Sequence, residues 1–190
     1  MQSFECKQVS PPEDQPISLD EVKAMLKYPT NAPSSEDSLI DIFRLAAISS
    51  SENFLNRKLI TQTWEMQLDC FPCHEILLPY GELQSVEAIT YIDPAGVTQT
   101  WDNSLYRVDA VSLQARITPV YGQFFPSTLS VTHAVTVRFI CGYGDQGEDV
   151  PQDIRLGILL AIRNWYDNRA SGDLPKTSES LFWPYRLIEF

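Results

Sequence analysis

Between Ser34 and Leu68 the apolar positions change period once, from helix to strand. Ile40, Phe43, Ala47 and Phe54 recur at helical spacings, with Leu39 and Ala46 beside them and no Pro or Gly in the run. Such a stripe predicts one long amphipathic helix over 35–57. Ser34 or Ser35 is placed to cap it, and Glu36 and Asp37 suit the positive end of its dipole. Asn56-Arg57-Lys58 closes it with cations at the negative end. From Ile60 the period becomes two. Ile60, Trp64, Met66 and Leu68 point one way, and Thr61, Thr63, Glu65 and Gln67 the other. That is a half-buried strand whose apolar face is spoiled only by Gln62.

The flanking sequence extends the pattern. Residues 1–17, with Pro11, Pro12 and Pro16, read as an extended or mobile arm. Ser18-Leu19-Asp20-Glu21 is a capping box that opens a short helix over 18–28. Tyr28 to Pro33 ends it, because neither proline continues a helix and each biases its predecessor toward extended geometry. Strands are predicted over 75–78, 83–92, 97–101, 105–108, 113–119 and 135–141. Asp93-Pro94-Ala95-Gly96 turns the third of these back on the second. A second amphipathic helix covers 151–170, with Pro151 in its first turn and Ile154, Ile158, Ile162 and Trp165 as its stripe. Asn168-Arg169-Ala170-Ser171-Gly172 stops it.

The fold class is therefore α+β: an amphipathic helix bundle with an antiparallel β-sheet or small β-sandwich, about 60–141, inserted between the second and last long helices. Three regions follow: an arm over 1–17, a main domain over 18–172, and a tail over 173–190. The tail turns strongly apolar, with Leu181, Phe182, Trp183, Tyr185 and Phe190, and Gly172 and Pro175 set it off from the helix. It either folds back onto the core or stays mobile until it docks on a partner, with Trp183 and Tyr185 as anchors and Arg186 as a polar clamp.

Charge and motifs narrow the chemistry. A formal net charge of −11 argues against a nucleic-acid reader but not against a protein that surrounds DNA without gripping it. No apolar run reaches the ~18 residues of a membrane helix. Met1 to Cys6 shows no secretory pattern, so cytoplasmic synthesis and reduced cysteines are expected. Cys70-Phe71-Pro72-Cys73-His74 matches the haem-attachment pattern and offers three zinc ligands, with His133 or Cys141 as distant fourth candidates. Without export or a βαβ context it reads as a turn carrying two thiols. Gly142-Tyr143-Gly144-Asp145-Gln146-Gly147 matches the dinucleotide fingerprint. Its acidic neighbours, the delay imposed by Val150-Pro151 and the lack of a following strand make it a strand-to-helix turn. No catalytic constellation and no cofactor site stand out.

A series of short runs then carries a resemblance. Leu59-Ile60-Thr61-Gln62-Thr63-Trp64-Glu65 follows a long helix, and Ile76-Leu77-Leu78-Pro79, Leu83-Gln84-Ser85-Val86 and Ile89-Thr90-Tyr91-Ile92-Asp93 come next. Tyr106-Arg107-Val108-Asp109, Ile117-Thr118-Pro119-Val120-Tyr121-Gly122 and Val135-Thr136-Val137-Arg138-Phe139 continue the order. Gly142-Tyr143-Gly144, Val150-Pro151, Tyr166-Asp167-Asn168-Arg169 and Pro184-Tyr185-Arg186 complete it. In this order they resemble the head–tail connector (adaptor) family of tailed bacteriophages and prophages, over roughly residues 18 to 186. Cys141 departs from the small residue usual before Gly-Tyr-Gly, and Cys70 to His74 is not a family feature.

The resemblance implies a structural subunit of a ring, commonly dodecameric, in the neck of the virion, with no enzyme activity and no cofactor. Its implied partners are further copies of the chain, the portal protein and the next connector or tail protein, and genomic DNA passes through its channel without specific recognition. Leu181, Phe182, Trp183, Tyr185, Arg186 and Phe190 would form the portal or subunit interface. Two other readings compete: a small metal or redox protein built on Cys70, Cys73 and His74, and a β-sheet receptor or glycan-binding module using Trp64, Trp101 and Tyr121.

Overall fold

The structure is a computed structural model that describes residues 4–28, 36–112, 114–168 and 172–188. In chain order its elements are β1 (Phe4–Ser10), α1 (Leu19–Leu26), α2 (Asp37–Leu55), β2 (Gln62–Leu68), β3 (Ile76–Leu77), β4 (Leu83–Ile92), β5 (Thr98–Thr100), β6 (Tyr106–Asp109), β7 (Arg116–Pro119), β8 (Val135–Cys141), α3 (Gln152–Asn168) and α4 (Lys176–Phe182). They segregate into two compact units, which makes the fold α+β. A strand unit comprises Met1–Pro12 and Thr61–Gly142, and a helical unit comprises Glu13–Ile60 and Tyr143–Phe190.

The strand unit is built on alternation. Its larger sheet runs β1-β2-β8-β4-β5, antiparallel throughout. Trp64 lies opposite Phe139, Met66 opposite Val137 and Leu68 opposite Val135, so the apolar positions of neighbouring strands share one face. A smaller sheet, β3-β7-β6, contributes Ile76 and Ile117 to the same buried core as Met66, Ile89, Val137 and Phe139. Gln62 keeps its place on the apolar face because its Oε1 accepts from Trp64 Nε1 at 3.0 Å and from Gln8 Nε2 at 2.8 Å. A buried amide so paired escapes most of its desolvation cost.

The arm is extended over Phe4–Ser10 and joins the larger sheet, a pairing that patterning does not predict. Phe4–Ser10 is an edge strand, paired antiparallel with β2 from Phe4 opposite Leu68 to Ser10 opposite Thr63. Six of its seven side chains are exposed, so it carries no burial periodicity that patterning could detect. The backbone ladder and the Gln8–Gln62 bond hold it. Of the described residues, 4–12 accordingly belong with the strands, and 173–188 with the helices.

The β6–β7 turn is closed by one carboxylate. Asp109 Oδ1 accepts from the backbone N–H groups of Val111 and Ser112, both at 3.1 Å. Its Oδ2 accepts from Ser112 Oγ at 2.7 Å and Arg116 Nε at 3.0 Å. The Ser112 hydroxyl first, then the Ser112 N–H and Arg116, draw its pKa down to about 2. A folded pKa below the unfolded one means the contribution to stability is complete above the ordinary carboxylate value and is lost as pH falls through about 2. An NMR titration of the side-chain carboxyls is expected to show Asp109 among the last to protonate, and Ser112→Ala to move it upward. A wild-type midpoint at the ordinary value of 3.8 would contradict this turn.

The helical unit pairs the two long stripes as patterning predicts. Ile40, Ala47, Ile48 and Leu55 of α2 are buried in one core with Ile154, Ile158, Ala161, Ile162 and Trp165 of α3, and Phe43 and Phe54 pack against it half-buried. The capping box of α1 is formed: Ser18 Oγ accepts from Glu21 N at 3.2 Å, and Glu21 Oε2 accepts from Ser18 N at 2.8 Å. At its N-terminus α2 has Glu36 and no side-chain cap among the described residues. Ser34 and Ser35, the 29–33 linker, Leu113 and the Arg169–Ser171 stop all lie outside those residues. The other end of α2 is stopped by Asn56 in the left-handed region, which Asn tolerates, rather than by cations in the last turn. Lys58 instead bridges Glu52 at 3.0 Å.

Candidate docking surface

The sequence candidates for chemistry do not assemble. Cys70 and Cys73 lie exposed in the loop after β2, and among the described residues no three His, Cys, Asp or Glu side chains group to hold a metal. The glycine turn is closed by its own atoms. A Cβ on Gly144 would lie 2.2 Å from Asp149 Oδ2, and one on Gly147 would lie 2.9 Å from the carbonyl oxygens of Gln15 and Pro16. Asp149 Oδ2 also accepts from Gln146 N at 3.0 Å. A carboxylate thus occupies the place where a phosphate would need N–H donors. The aromatic trio does not form a binding platform either. Trp101 is buried and packs against Phe71, Phe125 and Tyr106, and Trp64 Nε1 is engaged by Gln62, while Tyr121 alone is fully exposed.

The chain's C-terminal segment packs onto the helical core and keeps part of its surface exposed. Pro175 precedes α4, and Ser178 Oγ donates to Gly157 O at 2.8 Å in a buried contact that ties α4 to α3. Gly157 lets Phe182 approach: a Cβ there would fall 2.3 Å from Phe182 Cε1. Phe182 is fully buried, with its ring 6.1 Å from that of Phe54. Trp183–Tyr185 then forms a single 3-10 turn. Beyond it Leu187 is again fully buried. Its N–H donates to Leu55 O at 2.8 Å, and Asn56 Nδ2 donates to its carbonyl at 3.0 Å. Arg57 Nε donates to the Tyr185 carbonyl.

These contacts fold Phe182 and Leu187 back onto the helical core, the first of the two alternatives for the tail. Phe182, one of the six residues expected at an interface, is fully buried in the core, because the glycine of α3 opens a place for its ring. Leu181, Tyr185 and Arg186 are half-buried, and Phe190 lies outside the described residues. Trp183 remains 59% exposed. Its ring lies 6.5 Å from Phe54, and the Arg186 guanidinium sits 4.7 Å from the Phe54 ring and 5.5 Å from Trp183. A cation held over two aromatic faces fixes both its own position and theirs. Tyr185 OH donates to Asp153 Oδ2 at 3.2 Å, and desolvation followed by that carboxylate raises its phenol above the ordinary value. The turn thus offers a rigid, exposed indole beside a positioned guanidinium. Patterning had no signal for Phe54 as the brace under Trp183. Gly157, a lone glycine inside an apolar helical stripe, is a signal that could have located the Phe182 contact.

No family model and no curated protein matches the sequence. Solved structures match the fold. A chain in the neck of an empty GTA particle, computed with C6 symmetry, has a TM-score of 0.83 and 19% identity, covering 98% of this chain and 97% of that one. A chain in the virion of a native gene transfer agent (GTA) particle has a TM-score of 0.80 and 19% identity, covering 97% and 96%. A chain in the neck of a native GTA particle, computed with C12 symmetry, has a TM-score of 0.76 and 18% identity, covering 98% and 97%. At these identities the likeness is one of fold, and it takes in nearly the whole of each chain.

Proposed function

We propose that this chain is a structural head–tail connector subunit, one copy of a ring beneath the portal of a phage-like particle that extends the DNA channel and joins head to tail. The observation that carries the reading is the near-complete match of its fold to chains in the neck of gene transfer agent particles. The order of short motifs from Leu59 to Arg186 supports it independently, since fold alone does not select function. The Trp183 turn supports a docking role for the C-terminal segment, because exposed Trp beside Arg is the composition interface anchors favour. The net charge of −11 suits a subunit that lets DNA pass, because phosphate is repelled rather than held.

Electron microscopy of particles that carry this chain tests the reading. The expected result is ring density of this fold between head and tail. Density at the tail tip would overturn it. Duplex DNA binding by the purified chain is expected to be weak, and tight binding that collapses with added salt would count against a passive channel.

A further inference from the structure

The long helix α2 is apolar on two faces, and the core uses only one of them. Ile40, Ala47, Ile48 and Leu55 are buried, while Leu39, Ile42 and Leu45 are exposed at 44%, 62% and 45%. Spacings of three residues place these last side chains in one row along the helix. A surface helix ordinarily shows a single apolar stripe. Ser38 and Ser49 flank the row and are small enough for another chain to approach closely. The strip is also close to neutral on a strongly acidic protein. From Ser38 to Ser51 the ionisable residues are Asp41 and Arg44 alone, and they pair with each other at 2.7 Å, with Arg44 also donating to the Ile17 carbonyl at 2.8 Å.

We propose that the Leu39–Ile42–Leu45 face of α2 is the strip by which one copy of this chain holds the next. The inference rests on the ring reading above and names the surface that builds the ring. Copies carrying a net charge of −11 repel one another, and contact costs least where charge is absent or internally paired. This face satisfies that condition and supplies apolar area. DNA or a basic partner would instead be met by acidic surface. The structures of matching fold come from necks computed with C6 and C12 symmetry, and cyclic assembly sets one patch of a chain against a different patch of its neighbour.

Sedimentation of the full chain over a concentration series, with and without sodium sulfate, tests the proposal. Wild type is expected to self-associate, and sulfate to strengthen the association by screening charge and favouring apolar burial. Ile42→Asp, and separately Leu39→Asp, should weaken it at least about thirtyfold, the size of an interface hot spot. Their thermal unfolding should stay at the wild-type temperature, since neither residue is in the core. Variants that associate as wild type does would overturn the strip as the seam while leaving the ring intact. A wild-type chain that stays monomeric in sulfate at its highest soluble concentration would overturn self-contact through this face. The connector reading is judged separately, by where the fold appears in particles.

Discussion

Phe182→Ala is expected to destabilise the helical unit by about 3–5 kcal/mol, the range for emptying a buried aromatic site. The ring is fully buried between Gly157 on α3 and Phe54 on α2, and α4 is tied beside it by the Ser178 hydroxyl. Glycine has no side chain to relax into the space, so the cavity stays open. The pairing also predicts coupling. Gly157→Ala alone drives a methyl into the ring, an overpacking cost of about 1–3 kcal/mol against about 1 kcal/mol gained in helix propensity. In the Phe182→Ala background that clash is gone, so the double variant should be more stable than the two single losses sum to. Trp183→Ala, one residue further but exposed, should cost far less. Urea unfolding of the four proteins checks the set. Deleting residues 181–190 should then melt the helical unit, and a truncated chain with wild-type stability would return the tail to a detached segment.

The residues that patterning placed well are those whose partners share their period. β8 alternates strictly, so Val135–Cys141 was legible at both ends, and the stripes of α2 and α3 announced a common core. β1 was not legible, because a strand held by its backbone on a sheet edge leaves no apolar rhythm. The path of the C-terminal segment was not legible for a different reason. Pro184 does exclude a continuous helix, but it sits at the start of a 3-10 turn, where a missing N–H is no loss. Leu187, two residues past the turn, then donates its N–H to Leu55 O, a bond between residues far apart in sequence. For the candidate docking surface, Trp183 and Arg186 could be named from composition, but their brace, Phe54, lies before the whole strand excursion in sequence.

Phe139→Ala should cost the strand unit about 3–5 kcal/mol, whereas Arg138→Ala, its immediate neighbour, should cost about 0–1 kcal/mol. Phe139 is fully buried at the middle of β8, with Trp64 of β2 and Val86 of β4 opposite it and the Tyr80 ring 6.5 Å away. Two flanking ladders hold β8 in place, so the sheet cannot close over the missing ring. Arg138 points to the other face, where it pairs with Glu87 at 2.9 Å and Glu65 at 4.0 Å under partial exposure. Ion pairs so exposed are screened and contribute little. The contrast between adjacent residues tests register directly, because a one-residue slip of β8 exchanges the two faces and with them the two effects. Denaturant unfolding of both variants, followed at Trp64 and Trp101 with the other two tryptophans replaced, reads the strand unit alone. A larger loss from Arg138→Ala than from Phe139→Ala would show that the strand is paired one residue out of the register described.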